Sequence, residues 1–277
     1  MKHYDALVCH ADRDTLDLLT ALSSRLPITG ILDNDSNIVL YFEGGAVDNG
    51  VIEEIFSWVP EDREIEIERE EVEEQNWNAE FERSLEPVHV TDGLVITQSW
   101  NPVDAPGALV VTIDPKMSFG TGHHESTRLI SRLMMGLDMT GRNVLDVGTG
   151  TGTLAIIAAK RGAARVVAFD NNEWAVDNAR ENFERNGVDA QIELVLGELS
   201  EVDMTDVDII VANLHRNLII ELLPELARRF GPRERTLLTS GVLIVDYDGL
   251  IEAAAAQGLR VIEDVRENEW VATRFGA

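Results

Sequence analysis

Residues 143–172 read NVLDVGTGTGTLAIIAAKRGAARVVAFDNN. An apolar run at 144–147 is followed by glycines 148, 150 and 152, a helical stretch, a second apolar run at 166–169, and an acid, Asp170, at that run's end. Strand, turn, helix, strand is the unit from which parallel sheets are wound. Alternate glycines let the backbone turn tightly and approach a ligand that side chains would exclude. The spacing is G-x-G-x-G. A dinucleotide fingerprint would place its third glycine at 153, where this chain has Thr153, and would seat a pyrophosphate on the helix N-terminus. S-adenosylmethionine has no phosphate. It needs a close backbone approach and an acid for its ribose diol, which Asp170 supplies. The unit predicts a nucleoside cofactor held by Gly148, Gly150, Gly152 and Asp170, with Asn171 beside them. A nicotinamide cofactor, or a tight turn serving some other ligand, is the alternative. Asp146 either serves the cofactor through the turn or packs beneath it, and Glu198 either reaches the adenine edge or is an exposed loop acid.

Downstream the alternation continues, with short apolar runs at 192–196, 209–212 and 236–239 and helical segments between them. Such runs suit strands buried on both faces of a parallel sheet. The closing runs, 259–265 and 269–275, are spaced as a hairpin around 266–268. The expectation is a doubly wound, mostly parallel seven-stranded α/β sheet of Rossmann-like, class I methyltransferase type, ending in an antiparallel strand, over residues 87–277. Strand-like pieces at 88–90, 94–98 and 109–113 lead into it.

Upstream, residues 1–70 alternate short elements: 4–9, a helix over 12–25, strands at 28–32 and 38–42, a helix over 48–58, then a strand at 64–69. In order this is β-α-β-β-α-β, which suits a small ferredoxin-like α+β domain, a fold used more for binding than for chemistry. Residues 61–74 are the densest charge run, and 72–85 read as a polar helix, so 71–86 are expected to form an interdomain linker helix.

Composition narrows the function classes. There are 50 acidic and 23 basic residues, a formal charge of −27, and Lys2, Lys116 and Lys160 are the only lysines. Such a surface repels nucleic acid phosphates, so no direct nucleic acid partner is expected. The acids either attract a basic substrate or adapt the whole surface to a salty cytoplasm, and their even spread favours the second reading. Apolar stretches fall far short of the ~20 residues of a membrane span, and the start lacks a signal-peptide core. No membrane partner is expected, and a cytoplasmic location is. Cys9, the sole cysteine, excludes internal disulfides and reads as a core residue rather than a nucleophile. His123, His124 and Glu125 invite a metal reading. Adjacent helical side chains point about 100° apart and no cysteine or histidine cluster completes a site, so capping or loop packing is favoured and no metal is expected.

From residue 77 onward the sequence resembles the methyltransferases of the eleventh protein of the large ribosomal subunit, ribosomal protein L-eleven. The stretches that carry the resemblance are NWNAEFERSLEPVHVTDGLVITQSW (76–100), DPKMSFGTGHHESTRLI (114–130), LDVGTGTGTLAIIAAKRGA (145–163), VANLHRNLIIELLPEL (211–226), LLTSGVL (237–243) and ENEWVATRF (267–275). The block 119–127 followed by LDVGTGTG is the specific part. The resemblance implies that Thr127, Gly148, Asp170 and Asn213 contact S-adenosylmethionine, with Phe119 and Gly120 on a loop that closes over it. It also implies repeated methylation of lysine side chains and the N-terminal α-amine of ribosomal protein L-eleven, docked by the N-terminal domain.

In related amine methyltransferases an Asn and the following backbone carbonyl accept hydrogen bonds from the target nitrogen. Here that pair is Asn213 and Leu214. An Asn-Pro-Pro-aromatic motif is absent, which disfavours adenine or glutamine amide targets. His215 is either a proton relay or an exposed helix-start residue. The expected reaction is in-line methyl displacement by an unprotonated amine, without metal or covalent intermediate. A methyltransferase acting on another protein or a small-molecule amine, and a non-catalytic cofactor-binding module, are the alternatives.

Overall fold

The computed structural model describes residues 3–34, 36–60, 62–73, 85–116, 118–232 and 235–276. The chain divides into two compact units, Met1–Trp77 and Asn78–Ala277.

The first unit runs β1 (His3–His10), α1 (Arg13–Leu22), β2 (Ile28–Asp33), β3 (Ile38–Glu43), α2 (Asn49–Trp58), β4 (Glu66–Glu73). Its strands lie in the order β2-β3-β1-β4 with every pairing antiparallel, the arrangement of a ferredoxin-like sandwich. Asp12 and Asp48 start the two helices by accepting from Thr15 N and Val51 N, which satisfies backbone donors that a helix start leaves orphaned. Leu7, Cys9, Leu16, Leu19, Leu40, Phe42 and Ile55 form the core between helices and sheet. Burial pushes the Cys9 thiol up to about 11, so at neutral pH it is a packed thiol with no thiolate chemistry.

One expectation is corrected here. Residues 71–73, placed in a linker helix, are the end of β4, in register with β1 from His3↔Glu73 to His10↔Glu66. The charge run is an edge strand: Ile67 turns to the core while Glu66, Glu68 and Glu70 face water, and dense charge on an unpaired edge discourages further strand pairing. The rest of the expected linker that lies in 74–84 falls outside the described residues.

Among the described residues the second unit holds two sheets. The smaller joins β5 (Val88–Thr91), β6 (Leu94–Thr97) and β7 (Leu109–Thr112). The larger has the order β10-β9-β8-β11-β12-β14-β13. These strands are β8 (Asn143–Val147), β9 (Arg165–Asp170), β10 (Ile192–Leu196), β11 (Ile209–Asn213), β12 (Thr236–Leu243), β13 (Arg260–Glu267) and β14 (Trp270–Gly276), and β14 alone runs antiparallel to the others, pairing with β12 and β13. The hairpin turn sits at 268–269, later than the sequence suggests, with Asn268 at φ 53.

Alternate strand residues enter opposite layers. Val144, Val166, Ile209 and Leu238 pack with α3 (Glu125–Met135), α4 (Thr153–Lys160) and α5 (Glu173–Asn186); Leu145, Val167, Ile210 and Leu237 pack with α6 (Arg216–Arg229) and α7 (Tyr247–Ala256). Burial on both faces is why these strands read as unbroken apolar runs. The winding reverses between β8 and β11, and at such a reversal the loops leaving the strands' carboxyl ends diverge and open a crevice. The glycine turn leaves β8 and Asn213 ends β11, so both stand at that point.

Candidate functional site

Gly148 and Gly150 have φ of 69° and 55°, values that disfavour any side chain. A Cβ on Gly148 would lie 2.6 Å from Leu214 Cδ2, and one on Gly150 would overlap the Phe119 carbonyl oxygen. The turn is thus pressed between the end of β11 and the loop carrying Phe119 and Gly120. Gly152 is the cap residue of α4.

Asp170 is tied to this turn. Its Oδ2 accepts from Gly150 N at 3.0 Å and its Oδ1 from Asn172 N at 3.0 Å. A carboxylate has about four acceptor positions, so two backbone donors leave capacity for a ligand diol. Asn171 donates from Nδ2 to Glu198 Oε1 at 3.0 Å. Glu198 is exposed and also caps its own short 3-10 turn with Glu201.

Beneath the turn, Asp146 is fully buried; its Oδ2 accepts from Thr149 Oγ1 at 2.6 Å and Ala155 N at 3.1 Å. It braces the turn from below, which is the packing role. Its Oδ1 has no hydrogen-bond partner among the described residues, and burial pushes its carboxyl up to about 7.

Above the turn, the Phe119 carbonyl accepts from Thr151 N at 2.9 Å, and the Gly120 carbonyl from Thr151 Oγ1 at 2.9 Å and Thr153 Oγ1 at 2.7 Å. The Phe119 ring is 93% exposed: the backbone is clamped while the apolar ring stands in solvent. Exposing an unsupported aromatic ring is unfavourable, which makes it a natural contact for a ligand or substrate.

Asn213 donates from Nδ2 to Thr127 Oγ1 at 3.2 Å, joining the end of β11 to the first turn of α3. Leu214 N donates to Ser240 O at 3.1 Å. His124 caps α3, its Nδ1 accepting from Ser126 N at 3.2 Å, and its ring meets Trp270 edge-on at 4.7 Å. His123 Nε2 lies 2.8 Å from the Glu86 carbonyl. These two histidines do the capping and packing that the sequence favours. His215 caps α6 through Nδ1 and is exposed, the plainer of its two readings.

Sequence reasoning missed the asparagines of α5. Asn178, Asn182 and Asn186 recur every four residues and so share one helix face. Asn186 brackets the Thr112 backbone, accepting from its N at 3.0 Å and donating to its O at 2.6 Å. Asn178 donates to Asp114 O at 2.8 Å. Three asparagines at four-residue spacing on an amphipathic helix were the available signal. Lys116, near the loop's start, sits on both Glu181 oxygens at 2.7 and 2.5 Å.

This arrangement fits S-adenosylmethionine: a side-chain-free cradle, an acid with spare acceptor capacity, and an exposed aromatic ring beside them. Comparison with known proteins agrees. A family model described as Ribosomal protein L11 methyltransferase matches residues 10–276. The ribosomal protein L11 methyltransferase of Chlorobaculum tepidum is 36% identical over 277 residues, covering 96% of this chain and 93% of that protein. Its counterpart from Symbiobacterium thermophilum is 40% identical over 203 residues, covering 73% and 66%. Among solved structures, the ribosomal protein L11 methylase of Lactobacillus delbrueckii subsp. bulgaricus superposes with a TM-score of 0.64 at 26% identity, over 69% of this chain and 98% of that one. The chain belongs to the ribosomal protein L11 methyltransferase family.

Proposed function

We propose that this chain transfers methyl groups from S-adenosylmethionine to amino groups of ribosomal protein L11, namely lysine side chains and the N-terminal α-amine. The observation that carries the reading is the placement of Asn213 beside the glycine turn at the reversal point of the sheet, in a chain of this family. Gly148, Gly150, Gly152, Asp170 and Asn171 would hold the cofactor, with Phe119 and Gly120 along its open side and the buried Thr127 behind Asn213. When bound, the cofactor supplies an already activated methyl group, so the protein's task is alignment and desolvation.

The residues divide that task. Thr127 takes the Asn213 amide nitrogen and so turns the amide oxygen away from α3, where with the Leu214 carbonyl it accepts from an incoming amine. Two acceptors orient the nitrogen lone pair. A lysine amine ordinarily titrates near ~10 and arrives protonated. Carbonyl acceptors cannot neutralise a full positive charge, and an apolar surround penalises it, so the site favours the neutral amine. The Phe119 ring excludes water as the loop settles.

The first unit docks the protein substrate in this reading, and the location is cytoplasmic. Among the described residues no helix is long and apolar enough to cross a membrane. Intact-mass spectrometry of ribosomal protein L11 incubated with this chain and S-adenosylmethionine tests the proposal. Successive increments of ~14 Da per methyl transferred, appearing roughly 10²-fold more slowly with Asn213→Ala, support it. No increment at low or high salt, with cofactor binding shown separately, refutes the substrate.

A further inference from the structure

The site described so far leaves open what sets the position of the loop 114–127 against the glycine turn. We propose that Asn182 is a positioning residue for cofactor binding, holding the Asp114 end of the Phe119 loop and the glycine turn in one register. This rests on the methyltransferase reading above.

Asn182 is fully buried on α5. Its Oδ1 accepts from Asp114 N at 3.0 Å and from the Arg185 guanidinium at 3.0 Å. Its Nδ2 donates to Asp114 O at 3.2 Å and to Thr151 O at 2.9 Å. Both protons and both lone pairs of the amide are therefore used, and no other side chain of this size offers that set. Asp114 is where the chain leaves the small sheet for the loop. Thr151 is the residue whose N–H and hydroxyl hold the Phe119 and Gly120 carbonyls. The contacts close a ring: Asp114 to Asn182, Asn182 to Thr151, Thr151 to Phe119, and along the chain back to Asp114.

The ring has unequal links. Asp114 is further fixed by Ser99, which donates to its carboxylate from N at 2.9 Å and Oγ at 2.7 Å, and by Arg185 at 2.9 Å. Among the described residues the Phe119 end is held by Thr151 and Thr153, and the Phe119 side chain is in solvent. When the loop lifts, the link that parts is Thr151 to Phe119 and Gly120, while Asn182 keeps Thr151 and Asp114 in place for its return. Asn186 makes the same kind of bracket one turn along but on Thr112, without reaching the glycine turn, and is the built-in control.

The test compares Asn182→Asp and Asn186→Ala with the unaltered protein, using calorimetric binding of S-adenosylhomocysteine and methyl-transfer kinetics. Aspartate keeps the shape and removes both donors. The expected result is that Asn182→Asp raises the Kd for S-adenosylhomocysteine and the KM for S-adenosylmethionine at least tenfold with kcat changed less than threefold, while Asn186→Ala lowers Tm and leaves both constants within twofold. Equal effects of the two variants, or an unchanged Kd in Asn182→Asp, overturn the proposal. Should Asn182→Asp not fold, amide hydrogen exchange on the unaltered protein decides: S-adenosylhomocysteine slows exchange at Asp114 and Thr151 and not at Thr112 if the ring is real, and slows none or all alike if it is not. Failure of the unaltered protein to bind S-adenosylhomocysteine at all would instead refute the cofactor reading.

Discussion

The Asn213 amide nitrogen donates to the Thr127 hydroxyl across 3.2 Å, so the end of β11 and the first turn of α3 are set against each other by one polar contact. An amide left to rotate would present nitrogen or oxygen to the crevice with little preference. Tied to Thr127, it keeps its oxygen on the side of Gly241 and the Leu214 carbonyl. Thr127→Val keeps the shape and removes the tie; methyl transfer should fall about fivefold, the equivalent of one hydrogen bond of ~1 kcal/mol, whereas Thr127→Ser should retain most activity. Steady-state kinetics on ribosomal protein L11 check both. Asn213→Ala removes the acceptor altogether and should cost roughly 10²-fold in kcat, as loss of a preorganised polar group does.

The glycine turn predicts a loss of binding. Gly150→Ala would drive a methyl group into the Phe119 carbonyl and force a side chain onto a φ of 55°. Calorimetry should show S-adenosylhomocysteine binding weakened more than tenfold, with far-ultraviolet circular dichroism unchanged.

Asp146 predicts a pH signature. Its carboxyl is raised by burial to about 7, so the folded state holds a proton that the unfolded chain gives up near pH ~4. Stability linked to this group is fully present below the unfolded value, declines as pH rises from there, and levels off above about 7. Asp146→Asn should flatten that decline. Denaturant midpoints at pH 5, 6, 7 and 8 are the measurement, and an equal slope in the two proteins would remove Asp146 as its source.

Glu267 predicts the opposite trend. The Arg128 guanidinium, with Arg132 beyond it, holds its carboxyl below the usual range, so its contribution is present above the unfolded pKa and is lost as pH falls through the folded value. The pairing joins α3 to the hairpin, and Asn268 Nδ2 adds a bond to Glu125 at 2.9 Å. Glu267→Gln should cost about 2 kcal/mol, read as a lower urea midpoint at pH 7 with a smaller difference at pH 4.

The parts legible in the sequence are those written in local pattern. The turn at 148–152, its two strands and the acid that follows are contiguous, and the unbroken apolar runs announce a sheet covered on both faces. Asn213 and Thr127 were legible only through family resemblance, because they lie 86 positions apart and no periodicity links them. The end of β4 was misread because a charged edge strand has the composition of a linker; its partner, β1, is what makes it a strand. Asp146 could be read either way since a buried acid and a ligand acid look alike until the depth of the turn is known. The asparagines at 178, 182 and 186 were in plain view at helical spacing, but what they hold, the backbones of Thr112, Asp114 and Thr151, comes from elsewhere in the chain.

Lys116 sits on the Glu181 carboxylate and Lys160 donates to the Val110 carbonyl at 2.8 Å, and beyond Lys2 the sequence has no other lysine. For an enzyme that seeks neutral amines this has a chemical meaning. One of these amines is paired with a carboxylate and the other points inward to a carbonyl, so among the described residues few amines of the protein itself stand free on its surface. Arginine carries the positive charge instead, and a guanidinium stays protonated and inert to this electrophile. The composition thus sets a low number of competing amines beside the many a basic ribosomal protein would offer.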